Sequence, residues 1–270
     1  MARSRDPRCA RWPVRITRNS IGAMLRDDPH PVFCEAIEDV DIEEGIADHV
    51  FGDPPYDKRT QANIRRGKES KSTICVTAEP RFAAATSDTR TRWARWMATA
   101  TRRWVGVFSD HESSMGWASA LEAAGMGMVY VRPALWIRTG DDLIETVKPR
   151  KSGAPQFTGD RPATGHEVIV LAHKGRKMRW NGGGKSAVYV HPVVRGLERV
   201  HETQKPVGLM RDILRDFANP GETIADPFTG SGTTQVAAKL LGMQSIGIEL
   251  NPKHAEYARR RIAAARAGQP

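Results

Sequence analysis

Residues 223–250 constrain this chain more than any other stretch. Thr223–Ala225 reads as a short strand, Asp226 to Gly232 as a turn with two glycines, Thr233–Leu241 as a helix closed by Gly242, and Ser245–Leu250 as a second strand. Strand, tight turn, helix and strand make a βαβ unit, which calls for parallel neighbours and helices packed on a sheet. Glu249 ends the second strand, where a carboxylate about 20 residues past the turn can accept from ribose hydroxyls. The turn runs Asp226-Pro227-Phe228-Thr229-Gly230-Ser231-Gly232-Thr233-Thr234. It lacks the third glycine of a dinucleotide turn and places Pro and Phe before the first, which argues against a pyrophosphate ligand.

The flanking pattern extends the same architecture. Leu209, Met210, Ile213, Leu214 and Phe217 share one face of a helix that begins near Pro206 and stops at Asn219-Pro220-Gly221. Asn251 can cap a last helix with Pro252 at its first position, and Lys253–Arg266 continues it with a basic face. Earlier in the chain, Ile46–Gly52, Trp104–Ser109, Met128–Arg138 and Glu167–Ala172 are β-rich runs, and Ser113–Ala124 has helical spacing up to Gly125. With 270 residues, 40% of them hydrophobic, the chain can bury one full core. The expectation is a single domain over residues 1–270 with three insertions: 57–92, a long loop with one short helix; 139–166, rich in Gly, Pro and charge; and 175–200.

A second constellation stands at the end of the first long β run. In Asp53-Pro54-Pro55-Tyr56 the prolines end ladder donation, so the Asp53 carboxylate and the Pro54 carbonyl can point out of the sheet as two acceptors without a competing donor. Tyr56 adds a flat face. Two acceptors beside an aromatic plate suit an amino group on a planar ring, and open α/β sheets bind their ligands at this end of a strand.

The two constellations together resemble the amino-methyltransferase family of DNA modification enzymes, which make N6-methyladenine or N4-methylcytosine. A third segment, His201-Glu202-Thr203-Gln204-Lys205-Pro206, is similar to the Thr-x-Lys-Pro core that precedes the family's cofactor strand, with Glu202 departing from the usual residue after the histidine. Catalytic motif first and cofactor motif last is the permuted order of the beta group. The resemblance implies a Rossmann-like S-adenosylmethionine-dependent methyltransferase fold, α/β, with a mostly parallel central sheet and one antiparallel strand. It also implies that Asp53, Pro54, Pro55 and Tyr56 are catalytic. For S-adenosyl-L-methionine it implies a site built from Asp226, Pro227, Phe228, Gly230, Ser231, Gly232, Thr233 and Thr234, with Glu249 on the ribose and Thr203 and Lys205 completing the pocket.

Asp rather than Ser at the head of the tetrapeptide favours adenine N6 in double-stranded DNA, with cytosine N4 as the alternative. Methylation of RNA or protein, and an inactive DNA-binding module, are the remaining readings. The formal net charge of +10 suits a polyanionic partner. Arg65, Arg66 and Lys68 after the catalytic motif, and Arg176, Lys177, Arg179, Trp180 and Lys185 in 175–200, are the candidate DNA contacts. Three widely spaced cysteines, Cys9, Cys34 and Cys75, have no paired spacing, so neither a metal nor a disulfide framework is expected. No run of about 18 apolar residues occurs, so the expectation is a cytoplasmic modification enzyme of the restriction-modification kind, with a homodimer implied by the beta-group resemblance.

Overall fold

The computed structural model describes residues 14–56, 85–127, 133–139, 165–194 and 204–266. Its elements are β1 (Val14–Ile16), α1 (Arg18–Asp27), β2 (Val32–Phe33), β3 (Val40–Ile42), β4 (Ala47–Gly52), α2 (Ser87–Ala100), β5 (Thr101–Ser109), α3 (Ser114–Ala123), β6 (Ala134–Thr139), β7 (His166–His173), β8 (Val188–Pro192), α4 (Val207–Phe217), β9 (Thr223–Asp226), α5 (Thr233–Leu240), β10 (Gln244–Ile248) and α6 (Pro252–Ala264).

Eight strands form the main sheet in the order β2-β10-β9-β4-β5-β7-β6-β8, and β1 pairs with β3 in a small parallel ribbon. Pairings are parallel from β2 through β5 and between β6 and β8; β7 alone runs against both neighbours, β5 and β6. This is the mostly parallel α/β sheet with one reversed strand that the family resemblance implied. Alternation along the strands sorts side chains to the two faces. Val50, Val105 and Val107 join the core covered by α1, α2 and α3, while Phe51, Trp104 and Phe108 join the one covered by α4 and α5.

Chain order makes a switch point at the middle of the sheet. From β9 the chain crosses to β10 on one side, and from β4 it crosses to β5 on the other, while β9 and β4 are themselves paired at His49↔Ile224 and Val50↔Ala225. Strands that diverge in this way leave a crevice above their carboxyl ends. Asp53 follows β4 and Asp226 ends β9, so both motifs open onto it.

Several boundaries differ from the sequence reading. The stretch expected as a loop to Arg92 is already helical from Ser87, because Thr86 and Thr89 form a reciprocal cap and Trp93, Ala94 and Met97 bury one face. The segment 175–200 contains β8, which extends the main sheet beside β6 with register Trp136↔Tyr189. The residues before β4, for which no element was expected, supply β1, α1, β2 and β3. The last helix matches expectation, with Asn251 accepting from the Lys253 amide at 2.9 Å and Pro252 opening it.

Candidate active site

Lys205 is the centre of the crevice. Its ammonium is 2.8 Å from Asp53 Oδ2 and 3.0 Å from Glu167 Oε2, and its side chain is 8% exposed. The Tyr56 hydroxyl donates to Glu167 Oε2 at 2.7 Å, and Lys205 Nζ donates to that hydroxyl at 3.4 Å. Three rings surround the ammonium, with the Phe108, Tyr56 and Trp136 centroids 5.1, 5.6 and 5.8 Å away. Trp136 is held by donation from its Nε1 to the His191 carbonyl at 3.0 Å. A buried ammonium between two carboxylates and over aromatic faces is stabilised by both.

Burial sets the ionisation of this cluster. It pushes the Asp53 carboxyl above the ordinary range; Lys205 offsets part of the shift and Glu167 adds to it. Burial also pushes Glu167 upward, but Lys205 and then Arg138, at 3.5 Å, overcome it and leave that carboxyl below its usual value. Lys205 loses charge stability to burial and regains more from Asp53 and Glu167, so its pKa is raised. Tyr56 is held well above the usual phenol value, first by burial and then by the charge of Glu167 and Asp53. These shifts favour a charged Lys205, a charged Glu167 and a neutral Tyr56, and make Asp53 the carboxyl that is harder to ionise.

The second half of the site is the turn after β9. Gly230 and Gly232 have φ of 51° and 79°, the left-handed region that glycine enters without strain. A Cβ at Gly232 would also sit 2.9 Å from the Ala258 Cβ, so the turn can lie against α6 only as glycine. Arg261, one turn further along α6, donates to the Ser231 carbonyl at 2.9 Å, to its Oγ at 3.0 Å and to Thr233 Oγ1 at 3.2 Å. Phe228 stacks edge-on against Trp93 at 5.0 Å and donates its amide to Asp226 Oδ1 at 3.0 Å. Burial raises Asp226 to about 7, against the opposing hydrogen bonds from Thr234 and Phe228. Glu249 accepts from the Gly230 amide at 2.7 Å and the Asn251 amide at 2.8 Å, and burial outweighs both bonds to lift its pKa. The halves are joined where Thr233 Oγ1 donates to the Lys205 carbonyl at 3.2 Å.

Thus Asp53, Tyr56, Lys205, Asp226, Phe228, Glu249 and the Gly230–Thr234 turn come to one edge of the sheet, while Thr203, Arg65, Arg66 and Lys68 lie outside the described residues. The residues of 175–187 do not join the site. They follow the carboxyl end of β7, whose His173 pairs with Trp104 near the start of β5, whereas Glu167 stands at its other end. Six residues of strand separate those ends by about 20 Å. Arg176, Lys177 and Arg179 are exposed at that far edge. Trp180 packs on Phe217 with centroids 5.6 Å apart and donates to the Gly183 carbonyl at 2.9 Å. Lys185 pairs with Asp216 at 2.7 Å. Glu167, Phe108, Trp136 and Arg261 were not among the expected site residues. Glu167 carries one sequence signal, a charge heading the apolar run Val168–Ala172, but only the reversed direction of β7 brings it to the crevice.

A family model described as DNA methylase, of the N6/N4 methyltransferase type, matches residues 47–260. The type II methyltransferase M.HinfI of Haemophilus influenzae is 28% identical over 139 residues, 44% of this chain and 39% of that protein. The type II methyltransferase M2.DpnII of Streptococcus pneumoniae is 45% identical over 64 residues, 24% of each. The matches therefore span well under half the length of these two relatives. Among solved structures, the M1.HpyAVI–SAM complex superposes with TM-score 0.57 at 20% identity, covering 93% of this chain and 98% of that one. The PvuII DNA methyltransferase, described as cytosine-N4-specific, gives 0.57 at 12% identity with 86% of each covered. At such identities the superpositions speak to the fold. Among the described residues no helix is long and apolar enough to cross a membrane, and no cluster of metal-ligating side chains occurs.

Proposed function

Since this chain belongs to the DNA methylase family, we propose that it transfers a methyl group from S-adenosyl-L-methionine to an exocyclic amino nitrogen in double-stranded DNA, and that the base is adenine, methylated at N6. The observation that carries the reading is the Asp53 carboxylate with Tyr56 at the carboxyl end of β4, beside the glycine turn after the neighbouring strand β9, whose Gly230 amide is held by buried Glu249 at the end of β10. The residues suit the cofactor: two buried carboxylates, Asp226 and Glu249, disfavour a phosphate at the turn and favour a ligand bearing hydroxyls and positive charge.

The cofactor supplies an electrophilic methyl on a sulfonium sulfur. Everything else falls to the chain. An exocyclic amino lone pair is delocalised into its ring, so the site must localise it before attack. Asp53 and the Pro54 carbonyl accept the two N–H bonds, which favours a tetrahedral nitrogen, and the Asp53 charge offsets the positive charge that grows there as the N–C bond forms. The S–C bond would break as the N–C bond forms, leaving a neutral thioether, and the surplus amino proton would pass by way of the Asp53 carboxylate to solvent. Pro55 fixes the backbone of the tetrapeptide. Tyr56 offers its ring to a base turned out of the duplex, its hydroxyl anchored on Glu167. Glu249 binds the ribose hydroxyls; Asp226, Pro227, Phe228, Gly230, Ser231, Gly232, Thr233, Thr234, Thr203 and Lys205 enclose the methionine end. Arg65, Arg66 and Lys68, next in the chain after the catalytic motif, are the phosphate contacts in this reading.

Adenine is preferred because Asp heads the tetrapeptide. Incubating the protein with labelled S-adenosyl-L-methionine and unmodified DNA, then resolving the nucleosides, is the test. Labelled N6-methyladenine is expected; N4-methylcytosine would replace the base and keep the chemistry. Absence of transfer to any DNA by folded, cofactor-binding protein would overturn the proposal. A homodimer belongs to the same proposal and is decided by sedimentation of the purified chain.

A further inference from the structure

We propose that Glu167 is a positioning residue for methyl transfer: it anchors Tyr56 and shares Lys205, so that Asp53 is not consumed by a full ion pair and keeps an acceptor for the amino group of the base. The inference rests on the function proposed above.

One oxygen, Glu167 Oε2, takes both the Tyr56 hydroxyl at 2.7 Å and the Lys205 ammonium at 3.0 Å. The first contact fixes the plane of the ring on which the base stacks. The second divides the Lys205 ammonium between two carboxylates. Lys205 bonds Asp53 through Oδ2, and with Glu167 holding the ammonium from the other side Oδ1 is left to accept an amino N–H. With Glu167 present the ammonium stays paired when Asp53 turns to the base. Glu167 is itself tied down, by Arg138 at 3.5 Å from the neighbouring strand β6. None of this requires Glu167 to touch substrate.

The charged and titratable groups facing Asp53 are Lys205 ahead of α4, Glu167 on β7 with Arg138 behind it on β6, Tyr56 on its own segment and Asp226 on β9. Glu167 raises the Asp53 pKa through its charge. Neutralising it therefore lowers that pKa, which reports that the Glu167 charge acts on Asp53.

The test compares wild type with Glu167→Gln and Glu167→Asp. For Glu167→Gln, kcat is expected to fall about 10- to 100-fold, the size of one or two lost bonds to a charged group, with KM for S-adenosyl-L-methionine unchanged and the acid limb of the pH profile moved to lower pH. Glu167→Asp should recover part of the rate. Carboxylate titration by 13C NMR on ligand-free protein should show the same downward movement of Asp53, whether or not methyl transfer is detected. An inactive wild type would thus sink the proposed function alone. Wild-type kcat in Glu167→Gln, or an Asp53 midpoint that does not move, would sink the inference. If Glu167→Gln does not fold, Tyr56→Phe cuts the same hydrogen bond from its other end; a kcat equal to wild type in that variant would equally overturn it.

Discussion

Lys205 donates to the Asp53 carboxylate at 2.8 Å across 152 residues of chain. The bond fastens the segment entering α4 to the segment leaving β4, and so ties the cofactor half of the crevice to the catalytic half. Pairing is thereby separable from the chemistry proposed for Asp53, because Glu167 also holds the ammonium at 3.0 Å.

Asp53→Asn exploits that separation. The variant keeps the side-chain shape and leaves Lys205 paired with Glu167, so its urea midpoint should stay near wild type. Its methyl transfer should fall by at least about 100-fold, as when one preorganised group is lost from a developing charge, with cofactor affinity measured by calorimetry retained. A rate close to wild type would exclude Asp53 from the chemistry.

Gly232→Ala should fail in the fold before it fails in function. The position has φ of 79°, and an added Cβ would lie 2.9 Å from the Ala258 Cβ, so the turn must shift away from α6. A loss of about 1–3 kcal/mol is expected from the backbone strain, read as a lower urea midpoint at unchanged slope, with weaker cofactor binding. Unchanged stability would mean that the turn and α6 are not in the contact described.

The pH dependence of ligand-free stability should carry the mark of Asp226. Burial raises its pKa from 3.8 to about 7, so the folded state binds this proton more tightly than the unfolded chain. A raised carboxyl contributes stability below the unfolded value and loses it as pH climbs through the folded one. Between about pH 4 and pH 7 wild type should therefore lose stability relative to Asp226→Asn, whose amide does not titrate. Parallel curves for the two proteins over that window would refute the assignment.

Arg176, Lys177 and Arg179 lie at the edge of the sheet opposite the crevice. Replacing all three by Ala should leave KM for DNA within about twofold of wild type at moderate salt, since phosphate contacts remote from the site do not form. A large rise in KM together with a shallower salt dependence would place DNA across that edge.

Much of this architecture was legible in the sequence where local chemistry and tertiary role coincide. The turn from Asp226 to Thr234, the Asn251 cap and the amphipathic face of α4 are encoded within a few residues, and each appears where its pattern put it. Helix α2 was hidden because its cap, Thr86 with Thr89, lacks the usual acidic partner, and its start carries charge on the exposed face. Glu167 was hidden for another reason. Strand direction is a property of pairing, and nothing within His166–His173 states that β7 runs against β5. The basic residues after β7 were expected as DNA contacts from their place in the chain, and the reversed strand carries them to the end of the sheet away from the catalytic motif. Trp180 and Lys185 looked available because Phe217 and Asp216, which occupy them, are distant in sequence.

The bracing of the cofactor turn by α6 has a consequence for how the protein is made. A ribosome delivers β4 with the catalytic segment first, the turn after β9 next, and only then the helix bearing Ala258 and Arg261. Until that helix has emerged, Ser231 and Thr233 lack the guanidinium that holds them and Gly232 has nothing to lie against. A nascent chain therefore carries Asp53 well before the turn after β9 has the helix that braces it.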